Sequence, residues 1–191
     1  MPERGAARQR GACDAESKRD RRLSGRVLPV VQVPATVLSR PCSPVDPADP
    51  AVVQLAADLV ATMRVSPGCV GLAAPQVGVG WRVFCIDVSA HPKARTTHGE
   101  IVLVNPRLVE ASRNEEAREG CMSVPDLTGD VKRATRVTVL GFLPGGGERL
   151  TIATDAFEAR ALQHELDHVD GRLFLDRVAG AHAIYARKVY L

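Results

Sequence analysis

The sequence predicts an α+β domain, on three observations. Two segments of helical periodicity, at about 50–64 and 156–169, bracket a stretch that holds several strand-like runs separated by loops. Gly145-Gly146-Gly147 lies between two apolar runs, RVTVLGFL and ERLTIAT, which is a hairpin signal. Strands and helices do not alternate as a parallel sheet with crossover helices requires, so the elements are segregated.

Each element has a local reason. VLPVVQVPATVL, from Val27, is β-branched and punctuated by proline, which predicts extended chain. RPCSPVDPADP packs four prolines into residues 40–50 and reads as a loop. Asp49-Pro50 is an N-cap followed by proline at the first helical position. Val52, Leu55, Leu59 and Met63 then fall on one stripe. Ser66-Pro67-Gly68 ends that helix. GLAAPQVGVG (71–80) reads as a Gly-rich loop, RVFCIDV (82–88) as a strand and HPKARTTHGE (91–100) as a polar loop. IVLVNPRLVEA (101–111) predicts a strand broken at Pro106, and residues 118–130 a turn-rich segment around a small apolar kernel. Asp155 and Glu158 have the spacing of an acidic capping box for the second helix, which should stop near Gly171. Residues 179–191 read as weakly helical.

Composition narrows the function classes. The chain has 191 residues, 45% hydrophobic and 25% charged, enough for one ordinary core. No apolar run approaches the roughly 20 residues that cross a bilayer. No apolar signal segment stands in the first 26 residues. Five irregularly spaced cysteines (Cys13, Cys42, Cys69, Cys85, Cys121) do not form a disulfide framework and favour a reducing compartment. The net charge of +3 belongs to the start of the chain, where residues 1–26 hold eight basic and four acidic groups. We expect a disordered basic extension over 1–25, a catalytic domain over 26–178 and a short tail over 179–191. A bacterial cytoplasm fits best; four acids make 1–25 a poor transit peptide, leaving an organelle as the weaker alternative. Neither membrane association nor specific nucleic-acid binding is expected.

The chemistry concentrates in QHELDH (163–168). On a helix His164 and His168 lie one turn apart, about 40° around the axis, and can converge on one ion. Glu165 falls on the same flank, where it can reach a water at the ion without binding the ion. That suits metal-assisted hydrolysis; the plain alternative is a polar surface helix. Asp167 reads as a surface salt-bridge partner, with support of a ligand as the other option. A catalytic site needs a third protein ligand. Downstream, Asp170, Asp176 and His182 form no convincing pattern, which turns the search for the ligand upstream, to the cysteines.

Three blocks in order, GLAAPQ (71–76), EGCMS (119–123) and QHELDH, resemble the motifs of the peptide deformylases, and the resemblance covers roughly 27–176. It implies an α+β fold of mixed, mostly antiparallel strands packed around a central HExxH helix, with an N-terminal helix. It implies Cys121, His164 and His168 as ligands of one divalent ion, Fe(II) natively, with zinc, nickel or cobalt as substitutes. Glu165 would be the general base and then acid. Gln76 and the Met122 N–H would hold the oxyanion. Val70, Phe157 and Ala161 would line a methionine pocket, though Phe157 and Ala161 could equally be core. Gly71 and Gly120 would let peptide backbone lie close. The implied reaction removes the formyl group from the formyl-methionine of nascent polypeptides and releases formate. Transient ribosome contact is a further implication, with Arg187 and Lys188 as its slender support.

The chain departs from the family pattern in three places. Cys69 replaces the glycine that usually opens the first block. Met122 replaces a leucine, a nearly volume-conserving change. The loop after EGCMS has no basic residue before Lys132, which puts affinity for longer peptides in doubt. An internal peptidase and a non-catalytic binding module are the competing readings.

Overall fold

The computed structural model describes residues 24–188. Expectations for residues 1–23, Cys13 included, and for 189–191 lie outside this range. Helix α1 spans Pro50–Val65 and is capped as its sequence requires, with the Ala51 N–H donating to the Asp49 carboxylate at 2.8 Å. The segment before it is extended but forms no strand. It lies along α1 instead. Arg26 donates to Asp58 from both its backbone N–H (2.8 Å) and its guanidinium (2.9 Å), and the Leu28 N–H donates to the Thr62 hydroxyl at 2.9 Å. Residues 36–39 of the same run turn into a short 3-10 helix.

The sheet has six strands, all paired antiparallel: β1 (Gly71–Ala73), β2 (Val83–Ile86), β3 (Ile101–Cys121), β4 (Val124–Phe142), β5 (Arg149–Asp155) and β6 (Ile184–Ala186). The order is β1-β2-β3-β4-β5, with β6 added to β4. Helix α2 spans Ala156–Val169. Strand β2 is a continuous apolar run because both its faces are covered. Phe84 and Ile86 join the α2 side chains Ala159, Leu162, Leu166 and Val169. Val83 and Cys85 join Leu55, Leu59 and Met63 of α1.

Five expectations are corrected. GLAAPQ is not a loop: Gly71–Ala73 pair with β2 and Ala74–Val77 form a 3-10 turn. The break at Pro106 is only a register shift between Val104 and Arg107, where Asn105 (φ 50°) clamps Val45 through its side-chain amide at 2.9 and 2.7 Å. Residues 118–130 belong to the long β3–β4 hairpin. Gly129, which reads as a breaker, faces Phe174 and Val178; an added Cβ would lie 2.6 Å from Val178. The tail forms a short 3-10 turn and then β6, rather than a weak helix. Asp155 does not cap α2. It ends β5, its carboxylate accepts from the Thr96 hydroxyl at 3.0 Å, and Glu158 turns inward to the Thr154 hydroxyl (2.6 Å) and the His98 N–H (2.8 Å).

Candidate metal centre

Strand period and helix period meet at one point. On β3, Glu119 and Cys121 share the buried face while Gly120 points outward. On α2, His164 and His168 share a flank, their ring centroids 5.0 Å apart and their planes at 80°. Donor atoms of Cys121, His164 and His168 all lie within 4.8 Å of one another, and Cys121 Sγ stands 3.3 Å from His168 Nε2. Glu119 Oε2 holds His164 Nδ1 at 3.0 Å, which turns the other ring nitrogen of His164 free for the centre.

The electrostatics suit a cation. Burial pushes the Cys121 thiol up, but the adjacent His168 and His164 rings outweigh it and hold it well below its usual value. Burial pushes His164 down, and Cys121 and Glu119 together more than reverse this. The set is thus a thiolate facing two imidazoles, one of which, His164, holds a proton strongly; a divalent ion would replace that proton. A soft thiolate with two imidazoles is a donor set for zinc or a first-row transition ion. Buried His168 Nδ1 and Glu165 Oε2 have no partner among the described residues. The residues fit one divalent ion.

Glu165 is 3% exposed, and burial raises its carboxyl to about 7. Gln76 is held by its own loop: its Oε1 accepts from the Ala73 N–H at 2.9 Å, so Nε2 faces inward, 3.4 Å from both Cys121 Sγ and Ser123 Oγ. Met122 stands in the tight turn between β3 and β4. Val70, Gly71, Gly120, Phe157 and Ala161 all line the adjoining cleft, of about 320 Å³. Phe157 stacks on His91 with centroids 3.6 Å apart.

A buried ionic frame escaped the sequence reading. Glu119 takes both ends of the Arg133 guanidinium, at 2.8 and 2.9 Å, and a third bond from Arg160 at 2.8 Å. Arg133 also donates to Asp167 at 2.6 Å, and Arg177 closes on the other side of that carboxylate. Asp167 is therefore not a surface group; it is 4% exposed and ties α2 to β4. Glu119 was visible only as the residue two before a candidate ligand. Cys69 is half-buried in the cleft wall, with its thiol donating to the Gly71 carbonyl at 3.1 Å. Though the loop after EGCMS lacks an arginine, Arg118, Arg160 and Arg187 reach the cleft from β3, α2 and the segment after β6.

The polypeptide deformylase family model matches residues 27–183. The chain belongs to the polypeptide deformylase family. It is 43% identical over 164 residues to a peptide deformylase of Desulforudis audaxviator, covering 85% of this chain and 98% of the relative. Among solved deformylase structures, a class I type b enzyme from Acinetobacter baumannii superposes with a TM-score of 0.74 at 35% identity, over 81% of this chain and all (100%) of the other. The enzyme from Thermotoga maritima gives 0.72 at 31% identity, over 81% and 99%.

Proposed function

We infer that this chain is a metal-dependent peptide deformylase, which hydrolyses the formyl amide of N-terminal formyl-methionine in new polypeptides and releases formate. The convergence of Cys121, His164 and His168, with Cys121, His164, Glu165 and Gln76 lining one cleft, carries the reading. An ion held by Cys121, His164 and His168 would serve as Lewis acid and lower the pKa of water; Fe(II) is the native candidate, with zinc, nickel or cobalt able to substitute. Glu165, raised to about 7 by burial, takes a proton from the attacking water and returns it to the leaving amine. The Gln76 amide and the Met122 N–H donate to the oxygen that gains charge; losing one such donor costs on the order of 3 kcal/mol.

Val70, Phe157 and Ala161 receive the methionine side chain. Strand β1 is a sheet edge, paired on one side only, so an extended peptide can lie along it. Gly71 and Gly120 leave room for that backbone. Residues 26–178 form the catalytic unit, with 1–25 a basic extension and 179–191 a tail that contributes Arg187. A cytoplasmic site and transient ribosome contact complete the reading; no helix among the described residues is long and apolar enough to cross a membrane.

The test is formate release from formyl-Met-Ala-Ser by protein prepared without oxygen and loaded with Fe(II) or Ni(II). Rapid release is expected, with turnover abolished in Glu165→Gln at unchanged metal content. Absence of release from protein carrying one metal per chain would overturn the assignment.

A further inference from the structure

A second concavity, of about 540 Å³, opens beside the catalytic cleft. Six bases line it: Lys93, Arg95, Arg113, Arg118, Arg136 and Arg160. Only Glu115 and Asp155 oppose them, and Asp155 is engaged by the Thr96 hydroxyl. Arg118 and Arg160 are neutralised elsewhere, by Asp130 and Glu119. Lys93, Arg95, Arg113 and Arg136 have no ion pair among the described residues and stand exposed. The two concavities share a wall: Lys93, Arg118, Phe157 and Arg160 line both. Arg187 adds one more cation with no ion pair among the described residues on the cleft side, its guanidinium donating to the Cys121 carbonyl at 3.3 Å.

We propose that this groove receives the substrate segment downstream of methionine and selects acidic residues there over basic ones. The proposal rests on the deformylase reading. A chain whose first residue lies against Phe157 must leave the cleft past that residue's neighbours. Those neighbours form the common wall, and beyond it the surface carries positive charge that no acid among the described residues pairs. Complementary charge at such a rim acts on encounter and weakens with salt. Continuity with the catalytic cleft favours a peptide over a nucleic-acid backbone as the occupant.

The test compares formyl-Met-Ala-Ser followed by four glutamates with the same peptide followed by four lysines. At low salt kcat/KM should favour the acidic peptide by about tenfold, and the ratio should shrink towards one at high salt. In the full chain carrying Arg95→Gln, Arg113→Gln and Arg136→Gln, the ratio should fall to about twofold or less. Keeping all variants full length holds constant any attraction from the basic extension. Equal rates for the two peptides in the parent protein would overturn the proposal, as would a preference that survives the triple change. So would salt-sensitive binding of a single-stranded RNA that the triple change abolishes while peptide rates stay equal. Failure of the deformylase reading would appear separately, as no formate from formyl-Met-Ala-Ser. Equilibrium binding of labelled, unformylated acidic and basic peptides would then still decide the groove.

Discussion

Gly71→Ala is the smallest change that should stop this enzyme. A Cβ built on Gly71 lies 2.5 Å from Glu165 Oε1, 2.8 Å from its Cδ and 2.9 Å from its Cγ. Ordinary contact begins near 3.4 Å, so the carboxylate must retreat by about 0.9 Å. Its Oε2 has no hydrogen-bond partner among the described residues, so the shift breaks no hydrogen bond at that atom. Gly71 does not sit at positive φ, so the substitution adds no backbone strain. The retreat should cost about 1–3 kcal/mol at most in stability. Misplacing a reacting group by about 1 Å can cost about 100-fold in rate. The assay is kcat for formate release, with metal content and urea midpoint measured on the same preparation. Gly80→Ala is the control, because a Cβ there meets nothing within 4 Å. A Gly71→Ala protein with one metal per chain and kcat near that of the parent would refute the placement of Glu165 as the proton carrier.

Glu119→Gln leaves buried Arg133 with Asp167 as its one remaining charge partner among the described residues; we expect a loss of about 3 kcal/mol by urea denaturation and about 10- to 100-fold weaker metal binding by competition titration. Asp58→Asn should remove the ion pair that ties Arg26 to α1. Burial pushes Asp58 up, but its bonds from Arg26 and Gln54 hold it below its usual value, so its contribution is full above the unfolded carboxylate value and fades as pH falls through the depressed folded one. Urea midpoints should therefore separate parent and variant at neutral pH and converge in strong acid. After chelation, iodoacetamide near neutral pH should modify Cys121 before Cys42, Cys69 and Cys85. Burial pushes Cys42 up to about 11 and Cys69 to about 12, with Cys85 also well above its usual value; restoring the metal should protect Cys121, as read by peptide mass mapping.

Helix spacing was legible because it is local: His164, Glu165 and His168 need only 3.6 residues per turn to define a flank. The caps separate in the same way. Asp49 precedes a free helix start and caps it; Asp155 also belongs to a strand, which turns its side chain to Thr96. Cys121 was reachable only through the family motif, since 47 residues separate it from His168. The Glu119–Arg133–Asp167 frame was illegible, because its bonds span 14 and 34 residues and charged residues ordinarily face water. The long hairpin was misread because glycine and proline signal breaks, while here they admit packing from a distant segment. Much of β3 past Pro106 is exposed, so no alternation marked it as strand.

The β3–β4 hairpin also sets an order of assembly. Its tip carries Cys121 and, two residues earlier, the carboxylate that orients His164; both meet α2 only once the hairpin has closed and the helix has docked. Strand pairings of such sequence separation form slowly compared with helices. A chain with either half unformed offers separate donors, not a centre. Tight uptake of the ion therefore belongs to the finished fold, and mass action converts each increment of uptake into stability of the whole domain. During refolding, the rate at which the protein acquires a tight metal site should report the last tertiary event, the seating of α2 against the hairpin tip.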